Sequence, residues 1–298
     1  MNKTNFSDDQ TILAVDIGGT KTLVALVRGK DVIKSRTLPT ARSSSPADWL
    51  DKVQEIANEW IGEFTAVGVT VTGQVQEGYW TTVNPQTLTL SEPFDLATRL
   101  SEFGLPFEIL NDAHAAAWGE YIYGDAARSD LVYLTVSTGL GGGIIADGRL
   151  IKGRRGLAGH FGLVTQELAS VHGNLQPLES VVTGPWISRE AERMTGIALS
   201  SKGVFEAARN GATWAQSILT ISASRVARLC RDISFTLDPE KIVIGGGVGL
   251  AEGYVPLVKK ELLYLMSDCK IEILPSALRE NAGIVGIAAY AAKSTKVE

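Results

Sequence analysis

Short apolar runs, each broken by glycines or closed by a polar residue, recur along the chain at strand length. "TILAVDIGGTKTLVALV", residues 11–27, is interrupted by Asp16, Gly18, Gly19, Thr20 and Lys21 and then turns apolar again. An apolar run of four to eight residues bounded by turn residues is strand material, so this stretch reads as strand, glycine turn, strand. "LVYLTVSTGLGGGIIAD", residues 131–147, repeats the device. "AVGVTVTG", "FEILND", "KIVIGGGVGL" and "IEILPSAL" read as further buried strands. Helical patterns lie between them. "SSSPADWLDKVQEIANEWIGEF" offers Ser45 as a cap, Pro46 at the first helical position, and Trp49, Val53, Ile56 and Trp60 on one face. "AHAAAWGEYIYG" is an Ala-rich helix, the stretch from Pro185 to Leu237 is mostly helical, and "AEGYVPLVKKELLYLM" continues the pattern. "AGIVGIAAYAAK" is a helix of small residues suited to very close packing.

The strand–turn–strand device used twice implies an internal duplication at domain scale, too widely spaced for a solenoid. Two similar α/β domains facing each other across a cleft follow from it. No Pro/Gly/Ser-rich linker separates them, which places the boundary inside a continuous fold, near residues 112–125. The expected division is residues 1–118, completed by the C-terminal helix 282–298, against a larger domain of residues 119–281.

Composition narrows the function classes. The chain of 298 residues is 45% hydrophobic and 20% charged with a net charge of -5, a globular balance with no basic footprint for nucleic acid or an anionic membrane. Cys230 and Cys269 lack a metal-ligand spacing. No apolar run approaches the ~20 residues that span a bilayer, and the polar opening "MNKTNFSDDQ" is unlike a secretory signal. A soluble cytoplasmic protein is the expectation.

The glycine turns admit two readings. Each can be an ordinary hairpin turn, or a turn whose backbone amides face an anion, since glycine permits positive φ and close approach. GxxxxGK[ST] is absent, and "TGLGGGIIAD" runs into a strand where a dinucleotide fingerprint must open a helix. Hydroxyls or a carboxylate beside each turn, Asp16 and Thr20 in one, Ser137 and Thr138 in the other, suit a polyphosphate gripped from both sides. Asp16 is either a turn-closing side chain or an outer-shell Mg²⁺ ligand; Lys21 is either a surface lysine or part of the phosphate turn. Asp112, between a strand and a helix, is either an N-cap or a carboxylate placed for chemistry at a strand's C-terminal end.

"DIGGTK", "ND" before an Ala-rich helix, "STGLGGG", "AGH", "ExxxxG" and "GGGVG" occur in order over nearly the whole chain. Together they resemble the ROK (repressor, open reading frame, kinase) family of sugar kinases, in the actin-like ATPase superfamily. The resemblance implies an α/β fold of two actin-like (ribonuclease H-like) domains with an interdomain active-site cleft. It implies ATP and Mg²⁺ as cofactors, a small-molecule amino sugar as substrate, and a homodimer. One phosphate turn would be formed by Ala14, Val15, Asp16, Ile17, Gly18, Gly19, Thr20 and Lys21. The other would be Val136, Ser137, Thr138, Gly139, Leu140, Gly141, Gly142 and Gly143, with Gly246 and Gly247 behind the adenosine. Asp112 becomes the general base that accepts the hydroxyl proton. Gly73, Asn84, Asn111, Asp112, His160 and Glu179 become the sugar contacts.

Two departures from the family pattern stand out. Many ROK glucokinases carry a glutamate three residues before the motif histidine, where this chain has Leu157. Leucine cannot accept from a sugar hydroxyl but can sit against an acetamide methyl, which favours an N-acetylhexosamine over glucose. The expected reaction is phosphorylation of N-acetyl-D-mannosamine at O6, with a glucokinase or N-acetylglucosamine kinase as the alternative. The family's zinc cysteines are also missing: Ser170, His172 and Pro177 stand at their positions, so no structural zinc is expected. A sugar-responsive repressor would need an extra N-terminal DNA-binding domain, and the first strand already begins near residue 12; a non-catalytic sugar-sensing regulator is the less favoured alternative. Arg154 and Arg155 in "KGRRG" receive no role.

Overall fold

The computed structural model describes residues 9–41, 43–84, 88, 90–166, 176–268 and 270–295. The chain folds as two compact units. The first takes residues 1–127, 150–158 and 281–298, the second residues 128–149 and 159–280.

The first unit opens with β1 (Thr11–Ile17), β2 (Lys21–Arg28) and β3 (Asp31–Pro39), followed by α1 (Pro46–Glu59) and β4 (Ala66–Val71). Short strands β5 (Gln74–Gln76), β6 (Tyr79–Thr81) and β7 (Phe94–Asp95) come next, then α2 (Leu96–Ser101), β8 (Phe107–Asn111) and α3 (Asp112–Tyr123). The main sheet has the order β3-β2-β1-β4-β8. β1 pairs antiparallel with β2 and parallel with β4, which in turn pairs parallel with β8. Central parallel strands are covered on both faces and therefore read as continuous apolar runs. On one face Leu13, Val15, Val67 and Val69 pack against Trp49, Val53, Ile56 and Trp60 of and beside α1. α1 starts as its sequence requires: Ser45 Oγ accepts from the Asp48 amide at 3.2 Å while Asp48 Oδ2 accepts from the Ser45 amide at 2.7 Å, a reciprocal cap with Pro46 at the first helical position.

The opposite face is covered by the closing helix, Ala282–Ser294, which also crosses α3. That crossing is made of small residues. A Cβ on Gly119 would meet the Ala282 carbonyl oxygen at 2.7 Å and Gly286 Cα at 3.1 Å, and one on Gly286 would overlap the Ala115 carbonyl. The small-residue pattern of "AGIVGIAAYAAK" thus has its physical reason in a backbone-to-backbone approach to the helix that begins at Asp112.

The second unit runs β9 (Leu131–Val136), β10 (Leu140–Ala146), β11 (Arg149–Ile151), β12 (Thr165–Gln166), β13 (Gln176–Pro177), α4 (Gly184–Thr195), α5 (Ser201–Arg209), α6 (Thr213–Leu237), β14 (Lys241–Gly245), α7 (Gly246–Gly249), α8 (Tyr254–Leu265) and β15 (Glu272–Pro275). Its sheet has the order β11-β10-β9-β14-β15, with β9 antiparallel to β10 and parallel to β14, and β14 parallel to β15. Strand for strand this is the arrangement of the first unit, so the duplicated glycine hairpin in the sequence is the visible part of a duplicated sheet.

Candidate active site

In the first unit the C-terminal ends of three neighbouring parallel strands lie side by side. Asp16 on β1 is in register with Thr70 on β4, and Val71 of β4 with Asn111 at the end of β8. Open α/β sheets bind ligands beyond these strand ends. Thr70 Oγ1 donates to Asp16 Oδ1 at 2.8 Å, and Thr72 Oγ1 donates to Asp112 Oδ2 at 3.2 Å. Period-two alternation puts Thr70 and Thr72 on one face of the strand. That spacing is legible in "AVGVTVTG", but it does not say which acid each hydroxyl meets.

Asp112 is not the helix cap. That role falls to Asn111, whose Oδ1 accepts from the amides of Ala113 at 2.9 Å and His114 at 3.2 Å. Asn111 Nδ2 at the same time donates to the Gly73 carbonyl at 2.8 Å. Asp112 is the first residue of α3, its Oδ1 taking the Ala113 amide at 2.8 Å. With capping assigned to its neighbour, the Asp112 carboxylate needs another explanation. Gly73 sits at φ 121°, a conformation that favours glycine, and a side chain there would overlap the Thr81 carbonyl. Asn84 follows in the same region, its carbonyl accepting from the Leu88 amide at 3.3 Å.

Burial pushes the Asp112 carboxyl above the ordinary carboxylate range, against hydrogen bonds from Ala113, Thr72 and Asn111 that hold it down. Asp16 is pushed up to about 6, first by burial and then by the negative charge of Asp112, opposed by Thr70 and Lys21. Burial of both carboxylates and the charge of Asp112 resist ionisation of Asp16, which invites either a proton or a cation.

The first hairpin closes with the Gly18 amide donating to the Lys21 carbonyl at 3.0 Å. Ala14, Val15 and Ile17 are core residues of β1, whereas Gly18, Gly19, Thr20 and Lys21 form the accessible tip. In the second unit the Ser137 amide donates to the Gly139 carbonyl at 2.9 Å, and Ser137, Thr138 and Gly139 form the tip between the buried Val136 and Leu140. Gly18, Gly19, Gly139, Gly141, Gly142 and Gly143 are not among the glycines with positive φ. Positive φ, one of the two reasons offered for these glycines, is therefore set aside. Close approach is the reason at Gly142, where a Cβ would meet the Phe161 ring at 2.6 Å and the Tyr133 carbonyl oxygen at 2.7 Å. Gly142 thereby seats the ring that follows His160, a role the sequence pattern does not disclose.

His160 and Glu179 also belong to the second unit. His160 leads into the short 3-10 turn Phe161–Leu163, and Glu179 lies in another, Leu178–Val181. Glu179 faces the second hairpin tip: a Cβ on Gly139 would stand 3.3 Å from Glu179 Oε2. Gly246, at φ 83°, packs on β9, where a Cβ would meet the Val136 carbonyl oxygen at 2.5 Å, while Gly247 has open space beside its Cα. Leu157 is 38% exposed. Ser170 and His172 lie outside the described residues, and Pro177 ends β13. Among the described residues no group of three His, Cys, Asp or Glu side chains could hold a metal ion.

Two α/β units share one strand order, each opens with a glycine-tipped hairpin, and one carries two carboxylates, Asp16 and Asp112, at its strand ends. A family model described as the ROK family matches residues 12–294. The chain belongs to the ROK family. It is 39% identical to the bifunctional enzyme NanE/NanK of Brucella melitensis over 94% of this chain and 54% of that one, so it spans about half the length of that relative. It is 36% identical to an N-acetylmannosamine kinase of Vibrio cholerae over 93% of this chain and 97% of that one. Among solved structures, a ROK family glucokinase from Streptomyces griseus in complex with glucose and AMPPNP superposes with a TM-score of 0.80 at 26% identity, covering 94% of this chain and 98% of the other.

Proposed function

We propose that the protein is an ATP-dependent sugar kinase that phosphorylates O6 of N-acetyl-D-mannosamine. The observation that carries this reading is Asp112: Asn111 caps the helix in its place, Thr72 orients it, and burial raises its proton affinity. A carboxylate so placed accepts the proton of an attacking alcohol, a contribution of roughly 10²–10⁴-fold, while positioning and charge neutralisation supply the rest. Asn111 and Gly73, tied together, would be sugar contacts, as would Asn84, His160 and Glu179. Each hairpin tip, 18–21 and 137–139, would offer backbone amides to a phosphate, with the open flank of Gly247 toward the adenosine.

The donor set suits Mg²⁺·ATP. Mg²⁺ takes one or two carboxylates and keeps several waters, and Asp16, whose charge is resisted by its surroundings, gains most from a cation. Bound there, the ion would neutralise charge on the phosphate oxygens. The reading carries with it a cytoplasmic location, where ATP is available, and a homodimer, the family's usual form. Among the described residues no helix is long and apolar enough to cross a membrane.

The choice of sugar rests on Leu157 and on the Vibrio cholerae relative, an N-acetylmannosamine kinase. It is tested by a coupled ADP-release assay against N-acetylmannosamine, N-acetylglucosamine, glucose and mannose. The expected outcome is a preference for N-acetylmannosamine. A preference for glucose refutes the acetamide-facing leucine, and inactivity on every sugar refutes the kinase.

A further inference from the structure

Between β11 and the 3-10 turn at Phe161, residues 152–160 form neither helix nor strand. Three glycines punctuate the stretch at three-residue intervals, Gly153 at φ 73°, Gly156 at φ 72° and Gly159 at φ 84°. A segment with so little secondary structure is positioned by whatever grips its backbone. Its internal backbone bonds are the Ala158 amide donating to the Lys152 carbonyl at 3.2 Å and a long Gly156 to Gly153 contact of 3.4 Å. Lys152 Nζ lies over the Tyr290 ring at 5.6 Å, and two side chains from the body of the first unit grip the backbone itself.

Gln74 Nε2, on β5, donates to the Arg155 carbonyl at 2.5 Å. His114 Nε2, on α3, lies 2.6 Å from the Ala158 carbonyl. A carbonyl only accepts, so Nε2 carries the proton in this contact. The two gripped carbonyls bracket Leu157. Between the grips, Gly156 lies so close to β5 that a side chain would overlap the Val75 carbonyl. The grips are anchored in the candidate site itself. Gln74 follows Gly73, whose carbonyl takes Asn111 Nδ2, and His114 is two residues beyond Asp112 with its amide on Asn111 Oδ1. His114 is 2% exposed, too enclosed for its ring to find another geometry at little cost.

We propose that His114 and Gln74 are positioning residues which clamp residues 155–158 and so fix Leu157 for recognition of the acetamide group. Neither touches the sugar; both act through the backbone on either side of Leu157. This rests on the kinase reading above, because the clamp matters only if Leu157 meets the substrate. A hydrophobic contact that selects one substituent on a substrate is worth roughly 10–200-fold, which is the range such a clamp can forfeit when loosened.

The test compares His114→Gln, His114→Asn and Gln74→Ala in the intact protein. Gln places a donor near the position of Nε2, whereas Asn reaches only the position of Nδ1. Expected is a His114→Gln enzyme within a few-fold of wild type. His114→Asn and Gln74→Ala should each raise KM for N-acetylmannosamine and reduce its preference over mannose by roughly tenfold, with KM for ATP unchanged. Sugar affinity by calorimetry should follow the same order. Gln74 is only partly buried, so its variant guards against a folding defect at His114. The clamp is overturned if His114→Asn and Gln74→Ala keep wild-type sugar preference, or if sugar and ATP constants change together in all three. A wild-type enzyme that prefers mannose or glucose overturns the function reading before any variant is made, and the clamp with it.

Discussion

Asp16 lies near the end of β1 and Asp112 opens α3 directly after β8, and Asp112's charge is part of what raises the Asp16 carboxyl to about 6. An aspartate whose folded-state pKa lies above its unfolded value of about 3.9 binds more protons folded than unfolded between those pH values. Its favourable contribution is complete below pH 4 and is lost as pH rises through 6. The metal-free protein therefore carries a strained Asp16 at pH 8. Asp16→Asn, which keeps an oxygen for Thr70, should stabilise the free protein at pH 8 by about 1–3 kcal/mol, with the difference vanishing near pH 4. Thermal melts in EDTA at both pH values measure it, and equal differences at the two would remove the account of Asp16. The same variant should lose activity at limiting Mg²⁺. At this scale the sequence is legible in its exposed anomalies, such as a carboxylate ending an apolar strand, and not in its contacts. That Asn111 rather than Asp112 caps α3 depends on one residue of helix phase, and Thr70 and Thr72 look like ordinary threonines until their hydroxyls are placed on Asp16 and Asp112.

The helix that begins at Asp112 is held by its crossing with Ala282–Ser294, where Gly286 faces the Ala115 carbonyl with no room for a methyl group. Gly286→Ala should cost about 2–4 kcal/mol by overpacking and lower activity by displacing α3. In contrast, Ser45→Ala, which removes the α1 cap, should cost about 1 kcal/mol and leave activity alone. Denaturant unfolding with parallel assays separates the two, and a Gly286→Ala protein as stable as wild type would mean that the crossing has slack. Helix starts are readable because capping is local: Ser45, Pro46 and Asp48 are adjacent. β3 is not readable. Seven of its nine residues are exposed or nearly so, and no alternation marks it; its place depends on pairing with β2 and on surface pairs such as Lys34–Glu63 and Arg36–Glu59. β5, β6 and β7 span two or three residues each, too short for any periodicity to register.

Over the whole chain, two sheets of identical strand order follow from two copies of one hairpin pattern, which is why the duplication is legible in the amino-acid sequence itself. What the pattern does not announce is that residues 152–158 belong with the first unit, because that passage has no helix or strand and is gripped by Gln74 and His114. A protein that binds nucleotide and sugar as a kinase does is stabilised by each through mass action, by about 2.7 kcal/mol at a hundredfold excess over Kd. N-acetylmannosamine and Mg²⁺·AMPPNP should each raise the melting temperature, and EDTA should abolish the nucleotide's effect. A nucleotide shift that persists without divalent metal would count against the role given to Asp16.

The central claim is that a buried acid at the start of α3 takes the proton of the acceptor alcohol. The most direct measurement is single-turnover phosphorylation of N-acetylmannosamine by Asp112→Asn, with calorimetric titration of sugar and Mg²⁺·AMPPNP on the same preparation. The account predicts turnover lowered by roughly a hundredfold or more with both ligands still bound at near wild-type affinity. Turnover within a few-fold of wild type would contradict it and leave Asp112 a structural residue.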